Sequence, residues 1–407
     1  MIENQGNRLI FDNDFFSYEN EPCICGIDTI NIEPGIVKHT LKIQSRKDEK
    51  VYFAYGGTTG LCRTTMTGSI KEENLLSMLS SIPDNRIDEV LHFFEDNGFL
   101  LKVSSESFEA IDMQDMLTVL NHIKATVFLL SDLENPNPDY EQILRLTLYL
   151  LLSEPTSIKT STLKNAYSTC KHGFLLAMEK ASSLPEIDGQ KEAFIKDTYS
   201  IKDTIFKTFE LNIDEYNDIV AGELTNQRYC GILDARYKNL VYLYRNGSSL
   251  PRNQRIIVDF LFHYMKNIGV VCVADYSSGV SYYDESPKHS NFDITLKKAL
   301  LSVAKIVVGE EINYNLLGIT PRYSVQQMGP TWKVPNLLSA LYFSVFYLKP
   351  GSEVYRKCAN PACNNRFLVK TTNTRKIYCN PNCRNATAQR NHRKKVKKQR
   401  TRSAQQI

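Results

Sequence analysis

The clearest chemical pattern in the sequence is formed by four cysteines near its C-terminal end: Cys358, Cys363, Cys379 and Cys383. Four residues separate the first pair, three separate the second, and 15 lie between the pairs. Each pair encloses a turn-forming step, Asn360-Pro361 or Asn380-Pro381, which lets both sulfurs of the pair face one point. Thiolates bind zinc at about 2.3 Å and suit the corners of a tetrahedron. The spacing therefore predicts a site for one Zn²⁺ ion.

Two other interpretations of these cysteines explain less. Four unrelated cysteines do not account for paired spacing around Asn-Pro, and a redox pair ordinarily has two intervening residues. The N-terminal residues MIENQGNRLIFDNDFF show no secretory pattern, so we expect a cytoplasmic location, where thiols stay reduced and favour metal over disulfides. Four protein ligands leave no open coordination position, so the zinc is expected to be structural rather than catalytic.

The residues around the cysteines predict the elements that position them. RFLVK (366–370) has the composition of a strand and RKIY (375–378) that of a return strand, which would form a hairpin. Phe367 and Tyr378 would pack beneath the metal. Asn380 is a favourable N-cap and the following proline a favourable first residue of a helix. The turn that carries the first cysteine pair, the hairpin and the helix together form a treble-clef-like arrangement.

The predicted helix after the second pair is strongly basic. Its Lys and Arg residues include Arg384, Arg390, Arg393, Lys394, Lys395, Lys397, Lys398 and Arg400, which we predict to bind nucleic acid. Such charge would follow a phosphate backbone and release condensed counterions. The segment has few apolar residues that could be buried, so the helix is expected to fray beyond about His392. His392 itself is predicted to be a solvated helix residue. The alternative is a solvated, self-repelling tail.

The net charge of +4 conceals a division along the chain. Residues 351–407 contain 15 Lys and Arg and a single acid, Glu353, which leaves 34 basic and 44 acidic residues elsewhere. An acidic body joined to a basic end is the asymmetry expected of a nucleic-acid-binding segment. The longest apolar stretches, 143–152 and 337–348, are too short for a bilayer span of about 20 residues, so no membrane association is expected.

The sequence predicts an α+β fold, with a predominantly helical body, a β-rich N-terminal part and a small C-terminal treble-clef-like zinc finger. We predict four segments: a β-rich region over 1–70, a mainly α-helical body over 71–350, the four-cysteine zinc finger over 351–390 and a basic tail over 391–407. The step Lys349-Pro350-Gly351 marks the boundary before the finger. The apolar stripes of the body helices are typical of residues buried in a core, although the same stripes could form a homodimer interface.

Periodicity predicts the elements of the body in outline. Strands are expected at 40–45 and 51–55, joined by a charged hairpin turn over 46–50, with further strands at 99–105 and 269–277. A helical pattern is expected from about residue 71, with a helix end at Gly98. The last helix of the body is expected to start near Pro335. Between them, helices are expected over 113–130, 143–152, 161–182, 190–210, 234–245, 252–267 and 292–307. The D-x-K element Asp48-Glu49-Lys50 fits a solvated turn better than a nuclease site. Cys23, Cys25, Cys62, Cys170, Cys230 and Cys272, and the histidines outside the finger, show no ligand spacing.

The C-terminal segment resembles the CGNR-type zinc finger of bacterial proteins classed as transcription regulators. The resemblance rests on RKCANPACNNRFL, on an aromatic residue before the third cysteine, and on Cys-x3-Cys followed by Asn and a basic helix. It implies that the four cysteines named above are the zinc ligands. The namesake Cys-Gly-Asn-Arg reads Cys383-Arg384-Asn385-Ala386 here, and the usual Trp is Tyr378. The resemblance covers about one tenth of the chain.

Three functional hypotheses follow from these observations. The first is a DNA-binding transcription regulator whose body senses a signal or dimerises. The second is an RNA-associated or protein-interaction module in which a purely structural zinc supports a docking platform. The third is an enzyme with its active site in the body, for which no residue set gives positive support.

Overall fold

A computed structural model describes residues 16–33, 36–56, 59–65, 70–83, 86–182, 205–206, 210–221, 235–325, 328–348, 353–363, 366–370, 372–373 and 375–404. Within these ranges the fold mixes helices and strands, and a cluster of four cysteines lies near its C-terminal end. The predicted helix over 190–210 and the predicted boundary at 349–351 lie almost wholly outside the described residues.

The N-terminal part of the chain alternates strands and helices. The strands up to residue 112 are β1 Ser17–Asn20, β2 Cys23–Glu33, β3 Ile36–Ser45, β4 Val51–Gly56, β5 Gly60–Thr64, β6 Ile70–Asn74 and β7 Glu109–Asp112. The helices up to residue 152 are α1 Leu75–Ser81, α2 Ile87–Asn97, α3 Met113–Leu133 and α4 Tyr140–Leu152.

The remaining elements follow in chain order. Strands are β8 Ser157–Ile158, β9 Tyr167–Ser168, β10 Val271–Asp275, β11 Gly279–Tyr282, β12 Thr320–Ser324, β13 Gly329–Lys333, β14 Glu353–Lys357 and β15 Arg366–Lys370. Helices are α5 Gly173–Ser182, α6 Ile213–Tyr216, α7 Ala235–Asn246, α8 Arg252–Asn267, α9 Ile294–Asn315, α10 Leu337–Phe346 and α11 Pro381–Ala404.

The chain divides into two compact units, each built from separate stretches. Unit 1 contains Met1–Glu134, Ser157–Tyr167 and Asn315–Ile407, and unit 2 contains Asn135–Thr156 and Ser168–Tyr314. The C-terminal cysteine cluster therefore belongs to the same unit as the N-terminal strands. The four-segment division drawn from the sequence stays a prediction.

The two largest sheets of unit 1 have the strand orders β1-β4-β5-β6 and β2-β3-β7. Helix α10 lies against the first sheet, where Phe343 packs on Phe16 with ring centroids 4.6 Å apart. Tyr347 packs on Tyr55 beside them at 5.4 Å. Aromatic pairs of this kind contribute large apolar area, so this cluster joins α10 to the N-terminal sheet of unit 1.

The charged turn over 46–50 connects these two sheets and does not close a hairpin. Both flanking strands were predicted, but β3 pairs with β2 and β7, whereas β4 pairs with β1 and β5. Asp48 adopts φ 67° in the turn and is exposed. The expected hairpin is therefore wrong, although the solvated position of the D-x-K residues is confirmed.

Unit 2 is mainly helical. Helix α8 carries its apolar face inward, with Phe260, Leu261 and Phe262 fully buried. Strand β10 pairs with β11 in an antiparallel ribbon, which confirms a strand within 269–277. The helix predicted over 161–182 is confirmed only from Gly173, because the preceding residues form β9 and turns.

Local capping sets several helix boundaries. The Asp112 carboxylate accepts from the Gln114 amide at 2.8 Å at the start of α3, and the Asn336 side chain accepts from the Ser339 amide at 2.8 Å. Asn336, and not Pro335, therefore determines where α10 begins. Gly98 ends α2 with φ 81°, as predicted. Residues 70–74 form β6 and residues 99–105 contain no strand, so both of those predictions are wrong.

Helix α3 is the one helix of the described chain that is long and apolar enough to cross a membrane by length and composition. Of its apolar window, 61% is buried inside the fold. It also carries Lys124, which is 3% exposed and donates to the Ile82 carbonyl oxygen at 2.8 Å. That burial is typical of a core helix.

The hairpin β14–β15 is anchored to the C-terminal end of α3. The Arg366 guanidinium donates to both carboxylate oxygens of Asp132, at 3.0 and 3.3 Å, and lies 4.3 Å from the centre of the Phe128 ring. The Arg366 and Asp132 side chains are only 4% and 14% exposed. Ser131 donates a hydrogen bond to the carbonyl oxygen of Tyr355. These contacts attach the hairpin to α3 within unit 1.

We expect Arg366→Lys to lower the free energy of unfolding of unit 1 by about 1–3 kcal/mol, because an ammonium group cannot keep two parallel hydrogen bonds and the ring contact. Urea unfolding followed by circular dichroism measures this change. Arg375→Lys is the matched control, since Arg375 is exposed. Equal stability of the two variants would contradict the anchoring role of Arg366.

Candidate metal centre

The first cysteine pair lies in the loop of the hairpin β14–β15. Cys358 directly follows β14, and two residues separate Cys363 from the start of β15. The Cys363 amide donates to the Asn360 carbonyl oxygen at 2.8 Å, which closes the turn predicted at Asn-Pro. The strand over 366–370 is confirmed, but its partner is β14. The predicted return strand over 375–378 is wrong, because that segment has no strand and is irregular.

The second pair is positioned by the start of helix α11. The Asn380 side chain accepts from the Cys383 amide at 2.9 Å, as an N-cap does, and Pro381 is the first helical residue. Both predictions are confirmed. Cys379 immediately precedes this cap and Cys383 lies in the first turn of the helix. The peptide before them is tied to the first loop, since the Ala359 amide donates to the Ile377 carbonyl oxygen at 2.8 Å.

The four sulfurs converge on one point. All four lie within 4.8 Å of one another, with Cys363 Sγ 3.7 Å from Cys379 Sγ and Cys379 Sγ 3.5 Å from Cys383 Sγ. A disulfide requires about 2.05 Å, so these cysteines are thiols. A tetrahedral ion with metal–sulfur bonds of about 2.3 Å separates its sulfurs by about 3.8 Å. The spacing therefore suits one metal ion held by four thiolates.

A small apolar cluster surrounds the sulfurs. Cys358, Phe367 and Val369 are buried, and Val354 and Tyr378 pack against them together with the other three cysteines. The expected packing of the two aromatic residues beside the cysteines is therefore present. This shell excludes water from one side of the site, which strengthens the attraction between thiolates and a cation.

The thiols differ in acidity. Burial and hydrogen bonds among the thiols raise the pKa of Cys379 well above its ordinary value. Asn360 lowers the pKa of Cys383, because a hydrogen bond from its side chain stabilises the thiolate. Since thiolates are the binding form, the affinity of the group for a metal is expected to rise with pH.

Helix α11 continues as a single helix to Ala404, and fraying beyond His392 stays a prediction. Arg384, Arg393, Lys394 and Lys395 are exposed along it. Arg390 is half-buried and donates to the Asn360 side-chain oxygen at 3.1 Å, which ties the third turn of the helix to the first cysteine loop. Lys397, Lys398 and Arg400 lie on the same helix, and their side chains lie outside the described part of the chain.

Further basic side chains lie beside the cluster, in a shallow groove lined by β15 and the following turn. Lys370, Arg375 and Lys376 line this groove and are exposed. Lys376 also lies 5.6 Å from the centre of the Phe367 ring. The C-terminal segment thus presents positive charge both on the helix and on the hairpin.

Comparison of the chain with protein-family models, curated proteins and solved structures gives no match. The resemblance to the CGNR-type finger therefore rests on the motif alone. What the structure supports directly is a four-cysteine group able to hold one metal ion.

One further group was missed by the sequence analysis. Cys170, His172 and Glu311 are buried together in unit 2, with ligand atoms within 4.8 Å of one another. The Cys-x-His spacing of Cys170 and His172 was the one sequence signal for a metal site here. Glu311 lies in α9, far along the chain, and no spacing rule connects it to this pair. Cys23 and Cys62 are buried in strands, Cys25 and Cys272 are half-buried, and Cys230 lies outside the described residues.

Cys363→Ser is expected to lower the metal content of the purified chain by one equivalent, because a hydroxyl is a poor substitute for a thiolate ligand. Elemental mass spectrometry after dialysis gives the metal-to-protein ratio. Cys23→Ser is the control, since Cys23 is a buried cysteine in β2 outside the group. An unchanged metal content in Cys363→Ser would show that the four cysteines do not bind a metal.

Proposed function

We propose that the C-terminal segment is a treble-clef-like zinc finger that presents helix α11 to nucleic acid, and that the protein is a DNA-binding transcription regulator of the bacterial kind that its motif resembles. One observation carries the proposal. The last two ligands and the N-cap of α11 belong to the same turn, so the ion that joins the cysteines also fixes the start of the basic helix.

Zinc is the proposed ion because its chemistry matches the donors. Four thiolates suit Zn²⁺ in tetrahedral geometry, and a site with four protein ligands is structural. The role of the ion is to join the hairpin loop to the helix start, not to activate a substrate. A reducing compartment such as the cytoplasm would keep the thiols available.

The treble-clef-like fold is supported by the position of each pair. The first pair lies in a hairpin loop, and the second lies at a helix N-terminus, where free N–H groups favour thiolates. The hairpin partner is β14, which precedes the first pair in the chain.

Nucleic acid is the proposed partner because the segment carries 15 basic residues against one acid over 351–407. A helix with exposed Arg and Lys on several turns can contact a phosphate backbone over successive positions. Arg390 is assigned a positioning role, since its guanidinium contacts Asn360. Arg384, Arg393, Lys394 and Lys395 are assigned phosphate contacts, and Lys397, Lys398 and Arg400 continue the charge along the helix.

The alternative is an RNA-associated or protein-docking platform with the same structural zinc. It shares the metal and the charge, and differs in the partner. Binding that prefers structured RNA over duplex DNA at equal salt would favour it.

The regulator hypothesis further implies that the remaining chain senses a signal or forms a homodimer. Gel filtration and light scattering measure whether the homodimer forms.

The triple variant Arg393→Gln, Lys394→Gln and Lys395→Gln is expected to weaken binding to random-sequence duplex DNA and to reduce the steepness of its salt dependence. Three lost phosphate contacts change the slope of log K against log salt by about 3, at roughly 0.9 per contact. Fluorescence anisotropy across a salt series gives this slope.

The matched control replaces three exposed lysines outside the finger, Lys47, Lys164 and Lys298, with Gln. The control removes the same charge and should leave the slope unchanged. An equal change in both variants would indicate non-specific attraction, and no binding of the intact protein at low salt would contradict the proposed function.

A further inference from the structure

Three side chains in unit 2 form a second potential ligand group. The Cys170 sulfur, a ring nitrogen of His172 and a carboxylate oxygen of Glu311 lie within 4.8 Å of one another. Cys170 is 5% exposed, and His172 and Glu311 are fully buried. Buried charged groups are costly unless they are paired or bind a metal, so this arrangement requires an explanation.

Two helices hold the group in place. His172 directly precedes α5, and its carbonyl oxygen accepts from the Leu175 amide at 2.9 Å, so its backbone is fixed as part of the helix start. Glu310 and Glu311 are neighbours on α9 and approach His172 from its two ring nitrogens. Glu310 Oε2 is 2.7 Å from Nδ1, and Glu311 Oε1 is 3.4 Å from Nε2.

The two ring nitrogens of His172 have different environments. The short contact with Glu310 favours a proton on Nδ1, which leaves the lone pair on Nε2. Nε2 is buried and has no hydrogen-bond partner, since Glu311 lies beyond good hydrogen-bond geometry. A carboxylate that holds Nδ1–H while Nε2 faces other ligands is the usual outer-shell arrangement of a metal-bound histidine.

We infer that Cys170, His172 and Glu311 bind a divalent transition-metal ion, with Glu310 orienting the imidazole. A thiolate, an imidazole nitrogen and a carboxylate oxygen are all accepted ligands of Zn²⁺. Three protein ligands leave one coordination position, in contrast to the closed four-cysteine group. The chain then carries two ions, one in each unit.

A proton is the competing occupant of Nε2. Burial alone would lower the pKa of His172, but the hydrogen bond with Glu310 and the nearby charges of Glu310 and Glu311 raise it to about 9. In that alternative a histidinium is paired with two carboxylates and no ion is bound. Metal content distinguishes the two states directly.

The experiment measures zinc per chain in the full-length protein after dialysis against zinc-free buffer, for the intact protein and for Cys170→Ser, His172→Gln and Cys363→Ser. We expect two equivalents in the intact protein and one in each single variant. Combining Cys170→Ser with Cys363→Ser should leave none. Cys272→Ser, a change in unit 2 outside the group, is the control and should keep two.

Retention of all bound zinc by Cys170→Ser and by a folded His172→Gln would overturn the inference and assign the group to a histidinium pair. If His172→Gln fails to fold, the near-isosteric Cys170→Ser decides the question, with thermal melting as the check on its fold. The two sites are tested separately. Loss of zinc only in Cys363→Ser supports the C-terminal site alone, and loss only in Cys170→Ser supports the unit 2 site alone.

Discussion

The convergence of four cysteine sulfurs is the constraint on which the C-terminal segment depends. Among the described residues, its local apolar cluster has three buried members, Cys358, Phe367 and Val369. Burial on this scale is insufficient to order a hairpin and a 24-residue helix, and small modules of this kind usually require a metal. Four thiols at 3.5–4.8 Å form only weak hydrogen bonds with one another, because sulfur is a weak donor and acceptor. A shared ion resolves both problems.

The segment is also supported from outside the cysteine cluster. The Arg366–Asp132 pair attaches β15 to α3, so the hairpin is part of unit 1 and not a freely attached module. Arg390 and Asn380 connect α11 to the cysteine loops through side-chain hydrogen bonds. The first turns of the helix are therefore held in a defined orientation relative to the hairpin, and Arg393, Lys394 and Lys395 are exposed in the turn that follows.

The local chemistry of the four-cysteine segment was predictable from the sequence, and the strand pairing was not. Cysteine spacing and the Asn-Pro steps predicted the cluster, and Asn380-Pro381 predicted the start of α11, because these signals act within a few residues. The partner of β15 was misassigned since EVYRK (353–357) and RKIY (375–378) have similar composition, and only the three-dimensional fold chooses between them. The hairpin expected at the turn over 46–50 is wrong because the flanking strands pair within two different sheets, and local composition does not specify strand partners. The group of Cys170, His172 and Glu311 depends on the packing of α9, which no periodicity specifies.

Amide hydrogen exchange of the intact protein and of a variant with Cys379→Ser and Cys383→Ser would show whether the cysteine group holds the finger and its helix together. If the cysteine group holds the segment together, exchange in the variant is much faster over β14, over β15 and over residues 384–390, and unchanged in the β2–β3 pair of the same unit. Equal protection of those finger segments in both proteins would contradict it. The hairpin and helix would then be ordered by their contacts with unit 1 alone.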